Sequence, residues 1–141
     1  MYTKLQLKSY IKKIVLNKIS ILNNNYISVH IRRTDHIWLA KKENQYTSDN
    51  EFMNFLNKYD KNIYVATDNK ETYDKFKKLY PDQIKFNYHK SFKNTLRETS
   101  LLDAIVDIYM CIYSYNFMGS GWSSFSGLIK ELRTHQLKLK N

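Results

Sequence analysis

Cysteine, proline and glycine are scarce in this sequence, which has one cysteine, one proline and three glycines among 141 residues. The single cysteine, Cys111, excludes an intramolecular disulfide framework and a zinc site built from several cysteines. No linker rich in serine and glycine interrupts the chain, and no internal repeat is present. We therefore expect one domain over residues 1–141.

Long apolar segments are also missing. No apolar run reaches the ~18 residues that a membrane-spanning helix needs. Residues 1–18 mix lysines with apolar side chains and lack the core of a signal peptide. These absences predict a cytoplasmic protein without a membrane span.

Positive charge, by contrast, is abundant. Lysine and arginine number 23 against 13 acidic residues, which gives a net charge of +10. Such a surplus indicates an anionic partner, either nucleic acid, an anionic membrane surface or a small phosphorylated ligand. The lysines are scattered and accompany no nucleic-acid recognition motif, which disfavours nucleic acid.

Helical and strand patterns alternate along the chain, with hydrophobic residues at 43% of the sequence to form a core. Apolar spacing predicts helices at about 4–22, 48–59, 70–80, 97–114 and 123–133. Runs of β-branched and aromatic residues predict strands at 26–31, 63–67, 84–88 and 116–120. This order predicts an α/β domain with a mainly parallel sheet.

The first predicted strand ends in an unusual group of charges, "VHIRRTD". Alternation places His30 and Arg32 on one face of the strand and Val29 and Ile31 on the other. Ligands of parallel sheets bind beyond the carboxyl ends of the strands, where an arginine can grip phosphate oxygens with two donors. The alternative is an Arg33–Asp35 ion pair on the surface.

A second group, "GSGWSSFSG", opens the last predicted helix. Backbone N–H groups at a helix start attract anions, and Ser123, Ser124 and Ser126 can add donors. The alternative is simple capping of the helix by Ser123 or Ser124. The glycine spacing matches neither a dinucleotide fingerprint nor a P-loop.

Two aspartates complete the candidate set. Asp68 closes the second strand, and Asp107 lies within an otherwise apolar helix, where a carboxylate needs a partner. For Asp107 that partner is either an arginine, such as Arg97 or Arg32, or the N–H groups of a ligand such as a guanine edge. Histidines elsewhere show no metal-ligand spacing, so we expect no metal.

Three segments in order, "VHIRRTD", "IYVATDN" and "LRETSLLDAIVDIYMCIYSYNFMGSGWSSFSGLIKEL", resemble the C-terminal, GDP-fucose-binding half of fucosyltransferases. The likeness covers about residues 26–132. It is greatest to the α-1,6 type, which includes the core N-glycan and nodulation enzymes, and looser to the α-1,2 and protein O-fucosyltransferases. The resemblance implies a Rossmann-like three-layer domain, the nucleotide-binding half of a GT-B fold.

The resemblance also implies metal-independent transfer of fucose from GDP-fucose to a glycan hydroxyl, with inversion and no cofactor. Arg32 would be catalytic by stabilising the charge that grows on GDP. The substrate-binding residues implied are His30, Arg32, Arg33, Asp35, Asp68, Asn69, Asp107, Ser123 and Ser124. Within this set Asp68 and Asn69 would lie near the ribose or base, Asp107 would pair with guanine, and a serine would contact phosphate.

Two departures from the family pattern leave alternatives open. The α-1,6 enzymes carry an acceptor-assisting glutamate a few residues beyond "RRTD", where this sequence has Ala40, with Glu43 nearby. Family members also have an N-terminal domain that 141 residues do not supply. A missing domain, a partner chain or a homo-oligomer would complete the cleft, and a non-catalytic GDP-sugar-binding module is the main alternative function.

Overall fold

The computed structural model describes residues 9–33, 47–88, 96–121 and 123–140. The helices are α1 (Ser9–Ile21), α2 (Asp49–Leu56), α3 (Lys70–Leu79), α4 (Leu96–Tyr113) and α5 (Ser124–Lys140). The strands are β1 (Tyr26–Ile31), β2 (Asn62–Thr67) and β3 (Phe117–Gly119). None of the described helices is long and apolar enough to cross a membrane.

The three strands form one parallel sheet in the order β2-β1-β3. Val29, in the middle of β1, is paired with Val65 on one side and Met118 on the other. The chain leaves β1 toward β2 and later returns to the opposite side of β1 to form β3. The strand order therefore reverses between β1 and β3, which is where doubly wound sheets bind ligands. The predicted α/β class and parallel sheet are confirmed.

A core packs on each face of the sheet, because alternate residues of each strand point to opposite sides. One core joins Tyr26, Tyr64 and Ala66 to buried residues of α1, α4 and α5. The other joins Ile27, Val29, Ile31, Ile63 and Val65 to buried residues of α2 and α3. The sheet is thus the middle layer of three, as a Rossmann-like domain requires.

Helix starts are marked by local capping, as the sequence predicted. Ser48 and Glu51 form a capping box at the start of α2, in which each side chain bonds the other residue's backbone N–H. Asn69 caps α3 by accepting a hydrogen bond from the Thr72 N–H at 2.8 Å. These caps place the starts of both helices at the edge of the sheet where β1 and β2 end.

The strand predicted at 84–88 is wrong, since the structure has no strand there. The backbone carbonyls here accept hydrogen bonds from single groups and do not form the repeated hydrogen bonds of a strand pair. Ile63 donates its N–H to the Gln83 carbonyl, and the Phe86 carbonyl accepts hydrogen bonds from the Tyr73 hydroxyl and the Lys77 ammonium, at 2.8 Å each. The apolar pattern reflects Ile84, which is buried against α2 and α3.

Several other element ends differ from the prediction. The helix predicted at 48–59 ends at Leu56, and the helix predicted at 123–133 continues to Lys140. The helix predicted at about 4–22 begins at Ser9 within the described residues, and residues 1–8 lie outside them. The last strand is three residues long rather than five. All these differences concern element ends, where local pattern carries the least information.

Candidate functional site

Ser120 joins the carboxyl ends of β1 and β3. Its Oγ accepts a hydrogen bond from the Arg32 backbone N–H at 2.9 Å, and its hydroxyl donates to the His30 carbonyl at 3.1 Å. The side chain is buried. It therefore continues the pairing of β1 with β3 for one step beyond Gly119, the last residue of β3.

Ser126, in the first turn of α5, binds the same strand end. Its Oγ accepts a hydrogen bond from the Ser120 backbone N–H at 2.9 Å and lies 2.6 Å from His30 Nδ1. The His30 ring also packs on Phe125, with ring centroids 4.6 Å apart. These contacts bring β1, β3 and the start of α5 together, as the sequence predicted from the strand ends.

Gly119 makes this close approach possible. A Cβ atom at position 119 would lie 2.5 Å from both Cβ and Oγ of Ser126, a distance that side-chain carbons essentially never show. The glycine is therefore required by the approach of α5 to β3, and a positive φ angle plays no part.

The start of α5 has one serine that caps and one that faces outward. The Ser123 Oγ accepts a hydrogen bond from the Ser126 N–H at 3.4 Å, and its side chain is buried. Ser124 is exposed at the first position of the helix. The capping alternative therefore describes Ser123, whereas contact of Ser124 and the helix N-terminus with an anion stays a prediction.

Arg32 lies just beyond β1, beside Asp68. Its Nε is 3.6 Å from Asp68 Oδ2, which makes an ion pair too long to be a hydrogen bond. Each side chain is 33% exposed. A pair with this exposure contributes little to stability.

Asp68 and Asn69 both have structural partners. Asp68 Oδ1 accepts a hydrogen bond from the Arg33 backbone N–H at 3.0 Å. Asn69 Oδ1, besides capping α3, accepts a hydrogen bond from the Thr72 hydroxyl at 2.9 Å. Asp68 thus ties the end of β2 to the residue after β1, and Asn69 fixes the start of α3. Their contact with a ribose or base stays a prediction.

Arg33 turns away from the crevice and anchors α2. Its Nη2 donates to Asp49 Oδ1 at 2.7 Å and to the Thr47 carbonyl at 2.8 Å, and its Nη1 donates to the Arg32 carbonyl at 3.0 Å. The side chain is only 9% exposed. The geometry pairs Arg33 with Asp49, a partner that the sequence did not suggest. Its contact with a ligand stays a prediction, and Asp35 lies outside the described residues.

The pairing also changes the acidity of Asp49. Burial alone would raise the pKa of this carboxyl, but hydrogen bonds from Lys75 and Arg33, together with their charges, outweigh it and hold the pKa below its ordinary value. Lys75 Nζ donates to Asp49 Oδ2 at 2.8 Å. One carboxylate thus ties the end of β1, α2 and α3 together.

Asp107 lies apart from the other predicted site residues. It accepts a hydrogen bond from the Tyr64 hydroxyl at 2.5 Å. Tyr64 lies in β2, three residues before the strand ends. Burial, followed by the neighbouring Asp107 charge, raises the pKa of Tyr64 well above its usual value, so the phenol remains a donor. The structure thus gives Asp107 a tyrosine partner that the sequence did not suggest. A pair with an arginine or with a ligand stays a prediction.

Asp107 also lines a cleft with a volume of ≈ 260 Å³. The walls include Asp103 and the aromatic residues Tyr73, Phe86 and Tyr88. Carboxylates and aromatic rings are suited to a flat ring that carries N–H donors. The cleft is therefore compatible with the guanine contact predicted for Asp107.

Some predictions fall outside the described residues, namely those on Asp35, Ala40 and Glu43. Within the described ranges, no group of three or more His, Cys, Asp or Glu residues is arranged to hold a metal ion. The sequence interpretation missed the roles of Ser120 and Gly119. The available signal was a glycine at the end of a strand, followed by a serine. The role of these two residues depends on which helix packs against them, and the sequence does not show that.

A sequence model of the GDP-fucose protein O-fucosyltransferase family matches residues 3–136. GDP-fucose protein O-fucosyltransferase 2 from Homo sapiens and from Pan troglodytes are each 32% identical to this chain over 124 residues. The alignment covers 81% of this chain, which spans only 27% of the length of each relative. The fucosyltransferase resemblance is confirmed, in the protein O-linked branch rather than the α-1,6 branch to which the motifs pointed first. The chain belongs to the GDP-fucose protein O-fucosyltransferase family.

Proposed function

We propose that this chain is the donor-binding domain of a fucosyltransferase and that it binds GDP-fucose at the crevice between β1 and β3. The observation that carries the proposal is the pair of hydrogen bonds by which Ser120 joins the backbone of Arg32 to Ser126, in the first turn of α5, at the point where the strand order reverses. The groups proposed to bind the diphosphate are Arg32, Ser124 and the N-terminus of α5. Each of the three supplies positive charge or hydrogen-bond donors to a diphosphate. Family membership supports the choice of GDP-fucose.

The proposed reaction replaces one bond at the anomeric carbon of fucose. The acceptor oxygen forms a bond to that carbon as the bond to the diphosphate oxygen breaks, with inversion, and the acceptor proton passes to a base. Negative charge then grows on GDP, where Arg32 and the α5 N-terminus are placed to stabilise it. Because these groups supply the charge stabilisation, we propose that transfer needs no added metal.

The guanine is proposed to occupy the cleft beside Asp107. At about 3.3 Å per residue, Tyr64 lies roughly 10 Å before the end of β2, so the ribose would connect the cleft to the crevice. Asp107 is held by the Tyr64 hydroxyl and lines the cleft, and a carboxylate has several lone pairs that can accept hydrogen bonds. A carboxylate acceptor favours guanine over adenine or uracil at this point.

The acceptor is proposed to be a hydroxyl group on a protein or on a glycan. The motifs predicted a glycan, whereas the family description names protein as the acceptor. A domain that binds GDP-fucose without transferring fucose is the alternative, and a transfer assay with both acceptor classes separates the two.

The binding proposal is tested by calorimetric titration with GDP, ADP, UDP and a DNA oligomer. The variants are Arg32→Ala and, as a control that removes the same charge, Lys130→Ala, whose side chain is exposed on α5. We expect selective GDP binding that Arg32→Ala weakens at least about tenfold, as the loss of a charge-assisted contact implies, and that Lys130→Ala preserves. An equal response to every polyanion, or equal losses in both variants, would overturn the proposal and favour nucleic acid.

A further inference from the structure

A second cavity lies at the opposite end of the sheet from the crevice. Its volume is ≈ 330 Å³, and none of its described walls is shared with the cleft beside Asp107. The walls include Tyr26, the first residue of β1, and Tyr115, whose N–H donates to the Tyr26 carbonyl at 2.8 Å. At about 3.3 Å per residue, β1 separates this cavity from the crevice by roughly 17 Å. The proposed donor site therefore makes no use of it.

The buried part of the wall is held in place by hydrogen bonds. Arg133 of α5 donates from Nη1 to two of the last carbonyls of α4, those of Cys111 at 2.7 Å and Ile112 at 3.2 Å. It also donates to the buried Ser114 hydroxyl at 3.0 Å. The carbonyls at a helix C-terminus carry partial negative charge, which offsets the charge of the guanidinium. Since no acidic residue is among the described walls, this part of the cavity suits a neutral polar ligand.

Two tyrosines of the wall are exposed. The side chain of Tyr113 is 42% exposed and that of Tyr115 is 67% exposed. The Tyr115 ring is held by Tyr59, with ring centroids 6.0 Å apart, and by the Lys61 ammonium, 4.4 Å from the ring centroid. A large ring that is fixed by its neighbours and still exposed offers apolar contact area to a ligand at little entropic cost.

Amide side chains provide hydrogen-bonding groups in the same wall. Asn24 and Gln136 line the cavity, and within the described part of the chain no hydrogen bond involves either side-chain amide. The backbone of Asn24 has φ 53° and donates its N–H to the Ile19 carbonyl at 2.9 Å, which ends α1. A glycine would adopt this φ at lower cost, so the backbone conformation alone does not require an amide here.

We infer that this cavity binds a sugar, with the C–H face of a pyranose ring against Tyr115 and its hydroxyl groups bonded to the amides of Asn24 and Gln136. A pyranose ring has an apolar C–H face that packs on aromatic carbon. Each of its hydroxyl groups both donates and accepts, as a side-chain amide does. A phosphate fits less well, because the Arg133 charge is already offset by carbonyls. The inference goes beyond the proposed function and does not depend on it.

The first test titrates the wild-type chain, labelled with nitrogen-15, with the methyl glycosides of fucose, galactose, mannose and N-acetylglucosamine. NMR spectra report backbone and side-chain amides together, and Gln136→Ala assigns the amide of that residue. We expect at least one glycoside to bind with a Kd on the order of millimolar, as a ligand of one ring allows, and to shift the signals of Gln136 and of residues 113–115. The absence of such shifts with all four glycosides, or shifts at the crevice instead, would overturn the inference.

The second test uses two variants of the wall, each with a matched control. Tyr115→Ala should weaken glycoside binding about two- to tenfold, whereas Tyr10→Ala, which removes a ring that is 55% exposed on α1, should not. Gln136→Ala should weaken it about three- to tenfold, the range for one hydrogen bond, whereas Thr134→Ala, exposed on α5, should not. Equal effects within the Gln136 pair would overturn the inference, even if Tyr115→Ala failed to fold.

Titration of the same samples with GDP separates this inference from the proposed function. We expect both wall variants to keep the wild-type affinity for GDP, and GDP and the glycoside to bind together. A chain that binds glycosides at the cavity but no GDP overturns the proposed function and supports the sugar site. Displacement of the glycoside by GDP would show that the cavity is a nucleotide site, which overturns the inference.

Discussion

At the scale of single residues, the site depends on small side chains as much as on charged ones. Ser120 and Ser126 make the hydrogen bonds that join β1, β3 and α5, and Gly119 leaves room for them. Arg32 is then held by its backbone while its side chain remains a third exposed. This combination of a fixed main chain and an accessible guanidinium suits an anion-binding arginine.

Gly119→Ala should destabilise the protein, because the added methyl group would lie 2.5 Å from Ser126. We expect the free energy of unfolding to fall by about 1–3 kcal/mol, as overpacking typically costs. Gly127→Ala is the matched control, since its added Cβ meets nothing within 4 Å. For Gly127→Ala, within α5, we expect the free energy of unfolding to rise by about 0.5–1 kcal/mol. Urea denaturation measures both, and equal effects would show that the approach of Ser126 to Gly119 is unimportant.

At the scale of elements, one ion-pair group holds the two helices that follow β1 and β2. Asp49, at the start of α2, binds Arg33 from the end of β1 and Lys75 from α3. The crevice side of the sheet is therefore braced by contacts that leave Arg32 outside the group. Arg33 and Arg32 are adjacent in sequence but differ in surroundings, since the Arg33 side chain is 9% exposed within this group and the Arg32 side chain is 33% exposed beside Asp68.

Asp49→Asn should reduce stability in a pH-dependent way. The folded-state pKa of Asp49 is lower than its unfolded value, so the carboxylate stabilises the fold above the unfolded pKa of about 3.9 and loses this effect as pH falls through the folded pKa. We expect a loss of about 1 kcal/mol at neutral pH that shrinks below about pH 4. Thermal melts across this range measure it.

Asp74→Asn is the control for that series. Asp74 pairs with Lys70 one turn away on α3, at 2.6 Å, but both side chains are largely exposed. Exposed pairs of this kind contribute about 0.3–0.5 kcal/mol. If the two variants lost the same stability at every pH, the bracing role of Asp49 would be refuted.

At the scale of the whole molecule, the net charge of +10 does not by itself identify the ligand. A diffuse positive surface attracts any polyanion, whereas the proposed site at the crevice and cleft would take one nucleotide. The two modes differ in their response to salt, because each phosphate contact to long DNA releases condensed counterions and a small ligand makes few such contacts.

Raising salt from 50 to 200 mM should therefore weaken GDP binding only modestly. A nucleic-acid site with 6–10 phosphate contacts would lose about 10³–10⁵ in affinity over the same range. Bound GDP should also raise the melting temperature, since a ligand that binds only the folded state stabilises it. Fluorescence anisotropy with labelled GDP and labelled DNA measures how the affinity for each ligand depends on salt. A steep salt dependence for DNA, together with weak and unselective GDP binding, would favour the nucleic-acid function.

The sequence by itself determined the α/β class, the parallel sheet and the position of the candidate crevice. Hydrophobic period and capping residues are local, and parallel strands bring their carboxyl ends to one edge without further information. The family motifs are also local, so they could be recognised in the sequence before the fold was known.

Only the tertiary structure decided which partner each polar group has. His30 contacts Ser126, which is 96 residues away in the sequence, and Tyr64 binds Asp107, which is 43 residues away. Arg33 forms its ion pair with Asp49. The tertiary structure also showed that residues 84–88 pack without forming a strand. There the Phe86 carbonyl accepts hydrogen bonds from the side chains of Tyr73 and Lys77. The physical reason is that a hydrogen bond requires atoms within about 3 Å, and that distance is set by how whole elements pack together.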